Sequence, residues 1–394
     1  MNNFISNKYK RKLLNLSFHN NDGEKLQNGK IRIDDKFLYN FCSNDYLGLS
    51  KSKELIENSI DWANKFGTGL SSSRMVSGNL DLISEIENKI SVLKLKETSV
   101  IMGSGFQCNL TVIPAITNNS LGQRQKMIIL SDKLNHSSIH HGCLLTQQKT
   151  LRYKHLDYCH LESLLKKNIN SKKIIISETI FSMDGDIADI STLRFLAKKY
   201  NSLLYFDEAH ATGIFGKNGF GLTTLNNSEA NENEVVIGTF SKAFGSYGSY
   251  ISCSQQMKER IINSCSGLIY STVLPPPVLG SIQKAIELIP NMKYTRKTLL
   301  KNSEFLRRKL KENGFNIFKS KSHIIPVVFS KTSKCTKLSE MLKENGFYIH
   351  PVKHPTVPIG QSRLRISLTS FLKKQTIIDF IKKLRLLEEI YEKN

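Results

Sequence analysis

The chain has 394 residues, 40% of them hydrophobic, enough for one large domain and a smaller one, each with its own core. Its formal charge is +22, but the lysines are dispersed among asparagines and isoleucines, with no arginine-rich run and no aromatic RNA-binding signature. That pattern sets nucleic acid aside as the main partner and leaves a basic field that attracts anionic substrates. The seven scattered cysteines form no CxxC pair, which argues against a disulfide framework and a zinc site. No apolar run approaches the roughly 20 residues of a membrane span, and the N-terminus has no signal-peptide core. A cytoplasmic protein without a metal and without a membrane or nucleic-acid partner is expected.

In chain order, residues 1–45 read as an N-terminal segment, polar and partly helical at first. It leads into Phe41-Cys-Ser-Asn-Asp-Tyr-Leu-Gly-Leu49, where Asn44 and Asp45 suit local backbone hydrogen bonds. Residues 46–285 read as the large domain. Gly67 to Gly78 is rich in small and hydroxyl residues around Arg74 and fits a loop at a polar ligand or a subunit boundary. Helical spacing follows from Leu80 to Leu95. The strand-like Thr98–Met102 then runs into Gly103-Ser-Gly-Phe-Gln-Cys-Asn109, a turn before a helix whose free amides suit a phosphate. It is neither GxGxxG nor a Walker loop.

Further apolar runs at Met127–Ser131, Lys173–Ser177, Leu203–Asp207, Val235–Thr239 and Ser249–Cys253 alternate with helical stretches. This predicts an α/β fold with a mostly parallel sheet flanked by helices, its chemistry at the C-terminal strand ends. The suggestive residues fall there: Asp132 to His136, Glu178 to Asp184, Asp207 to His210, and Thr239 to Lys242.

Two of these stretches carry the chemistry. The strand Leu203–Asp207 ends in a carboxylate, which suits either a bound magnesium or the protonated ring nitrogen of pyridoxal phosphate. One strand later, Lys242 sits among Phe240, Ala243 and Phe244, where partial burial of an ammonium favours the nucleophilic amine needed for a Schiff base. Together the two favour pyridoxal phosphate. From about 286 to 394 a smaller α/β domain is expected. Two helices stop in the same way, at Leu310-Lys-Glu-Asn-Gly-Phe315 and Leu342-Lys-Glu-Asn-Gly-Phe347, and strands at Ile324–Phe329 and Arg363–Leu368 precede a helix from Lys374.

The motifs, taken together, resemble the α-oxoamine synthases, a branch of the fold-type I pyridoxal-phosphate enzymes, over nearly the whole chain. They are Ser43-Asn-Asp-Tyr-Leu-Gly-Leu49, Ser73-Arg-Met-Val-Ser-Gly78, Ser104-Gly-Phe106, Asp132-Lys-Leu-Asn-His136, Phe181-Ser-Met-Asp-Gly-Asp186, Asp207-Glu-Ala-His-Ala-Thr-Gly213 and Thr239-Phe-Ser-Lys242. Tyr270-Ser-Thr-Val-Leu-Pro-Pro276, and Pro355-Thr-Val-Pro-Ile-Gly360 with Arg363-Leu-Arg365, complete the set. The Ser73 loop and the Pro355 stretch point to the branch that joins L-alanine to a pimeloyl thioester, carried on CoA or a carrier protein, on the way to biotin. The glycine-using branches, glycine C-acetyltransferase and 5-aminolevulinate synthase, are the alternatives.

The resemblance implies a role for each matched residue. Lys242 holds the cofactor covalently and then acts as general base. Asp207 pairs with the ring nitrogen, and His136 stacks on the ring. Ser182 and His210 face the ring hydroxyl, while Gly105, Phe106, Thr239 and Thr272 meet the phosphate, Thr272 from the partner subunit of a homodimer. Arg365, helped by Asn44, binds the amino-acid carboxylate, and Thr356 meets the acyl substrate. Read from the residues alone, Ser182 also suits an ordinary turn, Thr272 a local structural hydroxyl and Thr356 a loop-fixing one. The sequence departs from the family at three places: Ile83 stands where a histidine is common, no histidine follows Arg365, and the acyl-side arginine near the N-terminus has only Arg11 and His19 as stand-ins.

Overall fold

The computed structural model describes residues 14–17, 29–117, 126–225 and 232–393; Arg11 and His19 lie outside them. The chain divides into two compact units, the larger formed by residues 43–327 with 367–370, the smaller by 1–42, 328–366 and 371–394. The change of character near 285 suggested an earlier break than this division, which keeps residues 286–327 with the larger unit.

The larger unit is built on a seven-stranded sheet. Its strands are β3 (Thr98–Met102), β4 (Met127–Asp132), β5 (Lys149–Tyr153), β6 (Lys172–Glu178), β7 (Leu203–Asp207), β8 (Glu234–Thr239) and β9 (Ser249–Cys253), in the spatial order β3-β9-β8-β7-β6-β4-β5. β9 runs antiparallel to both neighbours, and the contiguous pairs from β8 to β5 are parallel. The strands read as unbroken apolar runs because both faces are covered. Parity decides the face. Ile129, Ile174, Ile176, Tyr205, Val235 and Ile237 pack into one core with α3 (Gly105–Thr117), α4 (Ser137–Leu145) and α7 (Gln255–Ser264). Their alternates Leu130, Ile175, Leu204, Phe206 and Val236 pack into the other, with α5 (Tyr158–Lys167) and α6 (Ile190–Lys199). Each such side chain is worth about 1.5–3 kcal/mol of burial.

Strand β5 had no counterpart in the sequence reading. It is a sheet-edge strand, Lys-Thr-Leu-Arg-Tyr, of which only Tyr153 is buried, so it shows no apolar run.

In the smaller unit, β1 (Lys30–Ile33) and β2 (Lys36–Asn40) form an antiparallel hairpin, and β11 (Phe347–Tyr348) adds parallel to β2 with Phe347 opposite Tyr39. Phe41 packs 4.6 Å from Phe380, ring centroid to centroid, on α12 (Lys374–Lys393). The two matching helix stops are present. α10 (Lys293–Glu312), in the larger unit, and α11 (Thr332–Glu344), in the smaller, lead to Gly314 and Gly346 at φ +81° and +87°. Nothing lies within 4 Å of a Cβ built on either, so the backbone angle and not space calls for glycine.

Candidate active site

The register of the parallel strands places their C-terminal ends side by side. Glu178 lies opposite Asp207, and Asp207 opposite Ile237, two residues before Thr239. Open α/β sheets bind ligands at such ends, and four predicted residues gather there: His136, Asp207, His210 and Lys242.

Asp207 is buried, and each of its oxygens has a donor. Asn109 Nδ2 donates to Oδ2 at 2.8 Å, and the Ala209 amide to Oδ1 at 2.9 Å. Asn109, on α3, is itself fixed by Tyr205 OH at 2.7 Å and reaches Ser138 Oγ at 3.0 Å. His136 caps α4, with the Ser138 amide donating to its Nδ1 at 3.2 Å and the Ser138 hydroxyl at 2.7 Å from the same atom. Burial lowers its pKa, with the Asp207 charge opposing and the Lys242 charge adding to the effect. The imidazole is thus neutral near pH 7.

Half-buried Lys242 follows β8, with its Nζ 3.1 Å from His210 Nε2. His210 Nδ1 lies 2.6 Å from Tyr46 OH, which donates to Asn44 Oδ1 at 3.0 Å, and the Ser367 hydroxyl reaches the same Oδ1 at 3.4 Å. The motif containing Asn44 is thereby wired to the lysine.

Ser182 is buried in the tight loop 181–186, which closes by Gly185 N to Phe181 O at 2.9 Å and Phe181 N to Asp186 O at 3.1 Å. Gly185, at φ +68°, is required there: a Cβ would lie 1.9 Å from the Ile324 carbonyl oxygen. The Ser182 amide donates to Glu178 Oε2 at 3.3 Å. Glu178 is buried, and its Oε1 has no hydrogen-bond partner among the described residues. Burial first, then the Asp207 charge, raise its pKa well above the usual carboxylate range.

At the start of α3, a Cβ on Gly105 would lie 3.8 Å from the Thr239 side chain, so these two phosphate candidates adjoin. Thr239 Oγ1 donates to Gly248 O at 2.8 Å and accepts from the Ser241 amide at 3.2 Å. Phe106 is exposed on the same turn, its ring centroid 6.1 Å from that of His141. Thr272 is exposed in an isolated antiparallel bridge with Ser73 and lines a shallow pocket with Arg74 and Gly103. Nearby, Arg74 pairs with Glu87, whose Oε1 accepts the Ile101 amide at 2.7 Å.

Two predicted residues belong to the smaller unit. Arg365 is half-buried on β13 (Ser362–Ser367), whereas the neighbouring Arg363 is buried against Gln361 O at 3.1 Å, burial bringing its pKa down to about 10. Thr356 is exposed, its amide bonded to Lys353 O at 3.0 Å.

Asn109, Tyr46 and Glu178 join the cluster without a predicted role. All three appear in quoted motifs or strand ends, and a polar residue inside an apolar stretch is the one sign that marks Asn109 in advance.

A sequence profile described as "Aminotransferase class I and II" matches residues 37–384. The 8-amino-7-oxononanoate synthase of Gluconacetobacter diazotrophicus is 37% identical over 352 residues, 89% of this chain and 87% of that protein. A Paramagnetospirillum magneticum protein that carries the same name provisionally is 40% identical over 349 residues, 88% of each chain. Among solved structures, a Sphingomonas wittichii serine palmitoyltransferase superposes with a TM-score of 0.86 at 25% identity, covering 93% of this chain and 90% of that one. The Francisella tularensis 8-amino-7-oxononanoate synthase gives 0.76 at 25%, covering 91% and 99%.

The chain therefore belongs to the aminotransferase class I and II family, on the fold-type I architecture. Within that family it is an α-oxoamine synthase, a pyridoxal-phosphate-dependent acyltransferase. Among the described residues no helix is long and apolar enough to cross a membrane.

Proposed function

We propose that the protein condenses L-alanine with a pimeloyl thioester, releasing the thiol and CO2, as an 8-amino-7-oxononanoate synthase in biotin biosynthesis. One observation carries this reading: a lysine amine held by His210, beside a carboxylate fixed by two donors, in a chain 37% identical to an enzyme of that name. The donor set suits pyridoxal phosphate. Asp207 would hold the ring nitrogen, His136 the ring face, and Ser182 and His210 the hydroxyl side. Gly105, Phe106 and Thr239 would hold the phosphate, and Lys242 the aldehyde carbon. When bound, the cofactor supplies an electron sink for the α-carbon of the amino acid.

The protein's own groups do the rest. Asp207 keeps its partner nitrogen protonated, because Asn109 and the Ala209 amide hold its carboxylate in place. The Lys242 amine takes the α-proton of alanine and later returns a proton to product. His210 Nε2, 3.1 Å away, accepts from or donates to that amine as its charge changes. Neutral His136 covers one face of the reacting centre and excludes water. Arg365 and Asn44 are assigned to the alanine carboxylate, and Thr356 to the acyl substrate.

A homodimer fits the exposed apolar residues Met75 (44%), Val76 (81%) and Tyr270 (84%), which stand on the same stretches as Ser73 and Thr272. Thr272 would then serve the phosphate of the partner's site. The reading makes the protein a cytoplasmic enzyme that engages no membrane and no nucleic acid.

Thiol release measured with alanine or glycine against pimeloyl, acetyl and succinyl thioesters tests the assignment. Alanine with pimeloyl thioester should be the fastest pair, and a clear preference for glycine with acetyl thioester overturns it. Borohydride reduction followed by peptide mapping should place the cofactor on Lys242.

A further inference from the structure

His155 stands in the turn after β5, outside every residue assigned above. Its Nδ1 lies 2.8 Å from Asp132 Oδ1 and its Nε2 2.6 Å from Asp186 Oδ2. A neutral imidazole has one N–H and can satisfy only one of two carboxylates. With a carboxylate at each nitrogen, both nitrogens carry protons and the ring is a cation. The two acids are themselves buried, so neither tolerates the loss of its counter-charge.

Both acids belong to motifs that the chemistry of the site leaves unexplained. Asp132 ends β4, and besides His155 it accepts the Leu134 amide at 2.8 Å and the Leu156 amide at 3.0 Å. It thus shapes the turn 132–136 that delivers His136. Asn135 in that turn donates to Ile176 O at 2.9 Å and accepts the Glu178 amide at 3.0 Å. Asp186 closes the loop 181–186 that delivers Ser182, and the Phe181 ring meets His155 edge-on at 4.4 Å.

We propose that His155 is a positioning residue for this enzyme: as an imidazolium clamped between Asp132 and Asp186, it fixes the turn carrying His136 against the loop carrying Ser182. The clamp sets the gap between two groups that flank the cofactor in the reading above, on which it rests. Burial disfavours the charged ring, but the hydrogen bonds and charges of Asp132 and Asp186 outweigh it and raise its pKa to about 9. Of the other titratable groups nearby, burial pushes the Tyr153 phenol well up and that of Tyr158 to about 12. On its own turn Lys154 is exposed, and Asp157 caps α5 through the His160 amide at 2.8 Å.

The test uses the cofactor-loaded enzyme labelled at the histidine Cε1 carbons, with the His155 signal assigned by its loss in His155→Gln. Its NMR titration should have a midpoint near 9. In Asp186→Asn the midpoint should fall by a unit or more, about a tenfold change in proton affinity. A wild-type midpoint at the ordinary value near 6.5, or one unmoved in Asp186→Asn, overturns the clamp. This readout needs no substrate, so it fails independently of the substrate assignment.

For the positioning role, His155→Ala should lower kcat by roughly tenfold or more and speed cofactor release, with KM for the thioester within about twofold. Free imidazole should restore part of the loss at pH 7.5 and none at pH 10. A variant that melts earlier but keeps kcat and cofactor retention would show a structural role only and overturn the proposal. Should His155→Ala not fold, Asp186→Asn takes its place in the kcat and release measurements, under the same criteria.

Discussion

At Glu178 the protein keeps a carboxyl group in a place that has no room for its charge. Its folded pKa is raised, so the folded form keeps a proton that the unfolded chain releases above the usual carboxylate pKa. Stability from this group is present below that value and declines as pH climbs toward the folded one. Glu178→Gln should therefore match the wild type near pH 4 and melt at a higher temperature at pH 7–8, as read by calorimetry across that range. His136 shifts the other way: burial keeps it neutral where a free imidazole would half-charge.

Asn109 makes a complementary prediction. Asn109→Ala strands the Asp207 oxygen and the Tyr205 hydroxyl in a buried space, at a cost of about 1–3 kcal/mol per group. The variant should lose both stability and cofactor affinity, and denaturant melts and cofactor titration check each. Lys242 and Asp207 could be found in the sequence because Asp207 ends a strongly apolar run and Lys242 sits among apolar residues in the loop just after another. Asn109, Tyr46 and Glu178 stand in stretches the sequence marks, but their roles were not legible there, because those roles lie in partners 29 to 164 positions away that only the fold brings near.

At the scale of elements, the sheet was legible wherever a strand is buried on both faces. Parity along β6 sends Ile174 and Ile176 to one core and Ile175 to the other, and each is fully buried. Ile176→Ala should cost about 2–5 kcal/mol, with the cavity left beneath α3 and α4 as its cause. Chemical denaturation would show it as a lower midpoint with little change in slope. β5 escaped that reading because, in the edge strand Lys-Thr-Leu-Arg-Tyr, only Tyr153 is buried and no apolar run forms. The reversed direction of β9 escaped too, since a strand's sequence does not record which way its neighbours run. Gly346→Ala, at φ +87° with open space around it, should cost about 1 kcal/mol through backbone strain alone.

For the whole molecule, the charge of +22 acts on encounter, not on fold. Surface charges interact over about 8–10 Å at moderate salt. KM for a CoA-linked acyl donor should therefore rise with ionic strength while kcat for the bound complex changes little, which steady-state kinetics between about 50 and 400 mM salt would reveal. The division of the chain was harder to see than the motifs. The smaller unit draws on three separate stretches, and the change of character near 285 announces the last two but not the first.

That arrangement bears on how the protein is made. The β1–β2 hairpin finds its third strand only at Phe347–Tyr348. On a ribosome adding about 5–20 residues per second, the hairpin waits roughly 15 to 60 seconds with one edge unpaired. Throughout that interval the nascent polypeptide exposes a template for foreign strands, and any transcript broken before codon 347 would release a product that can never cover it.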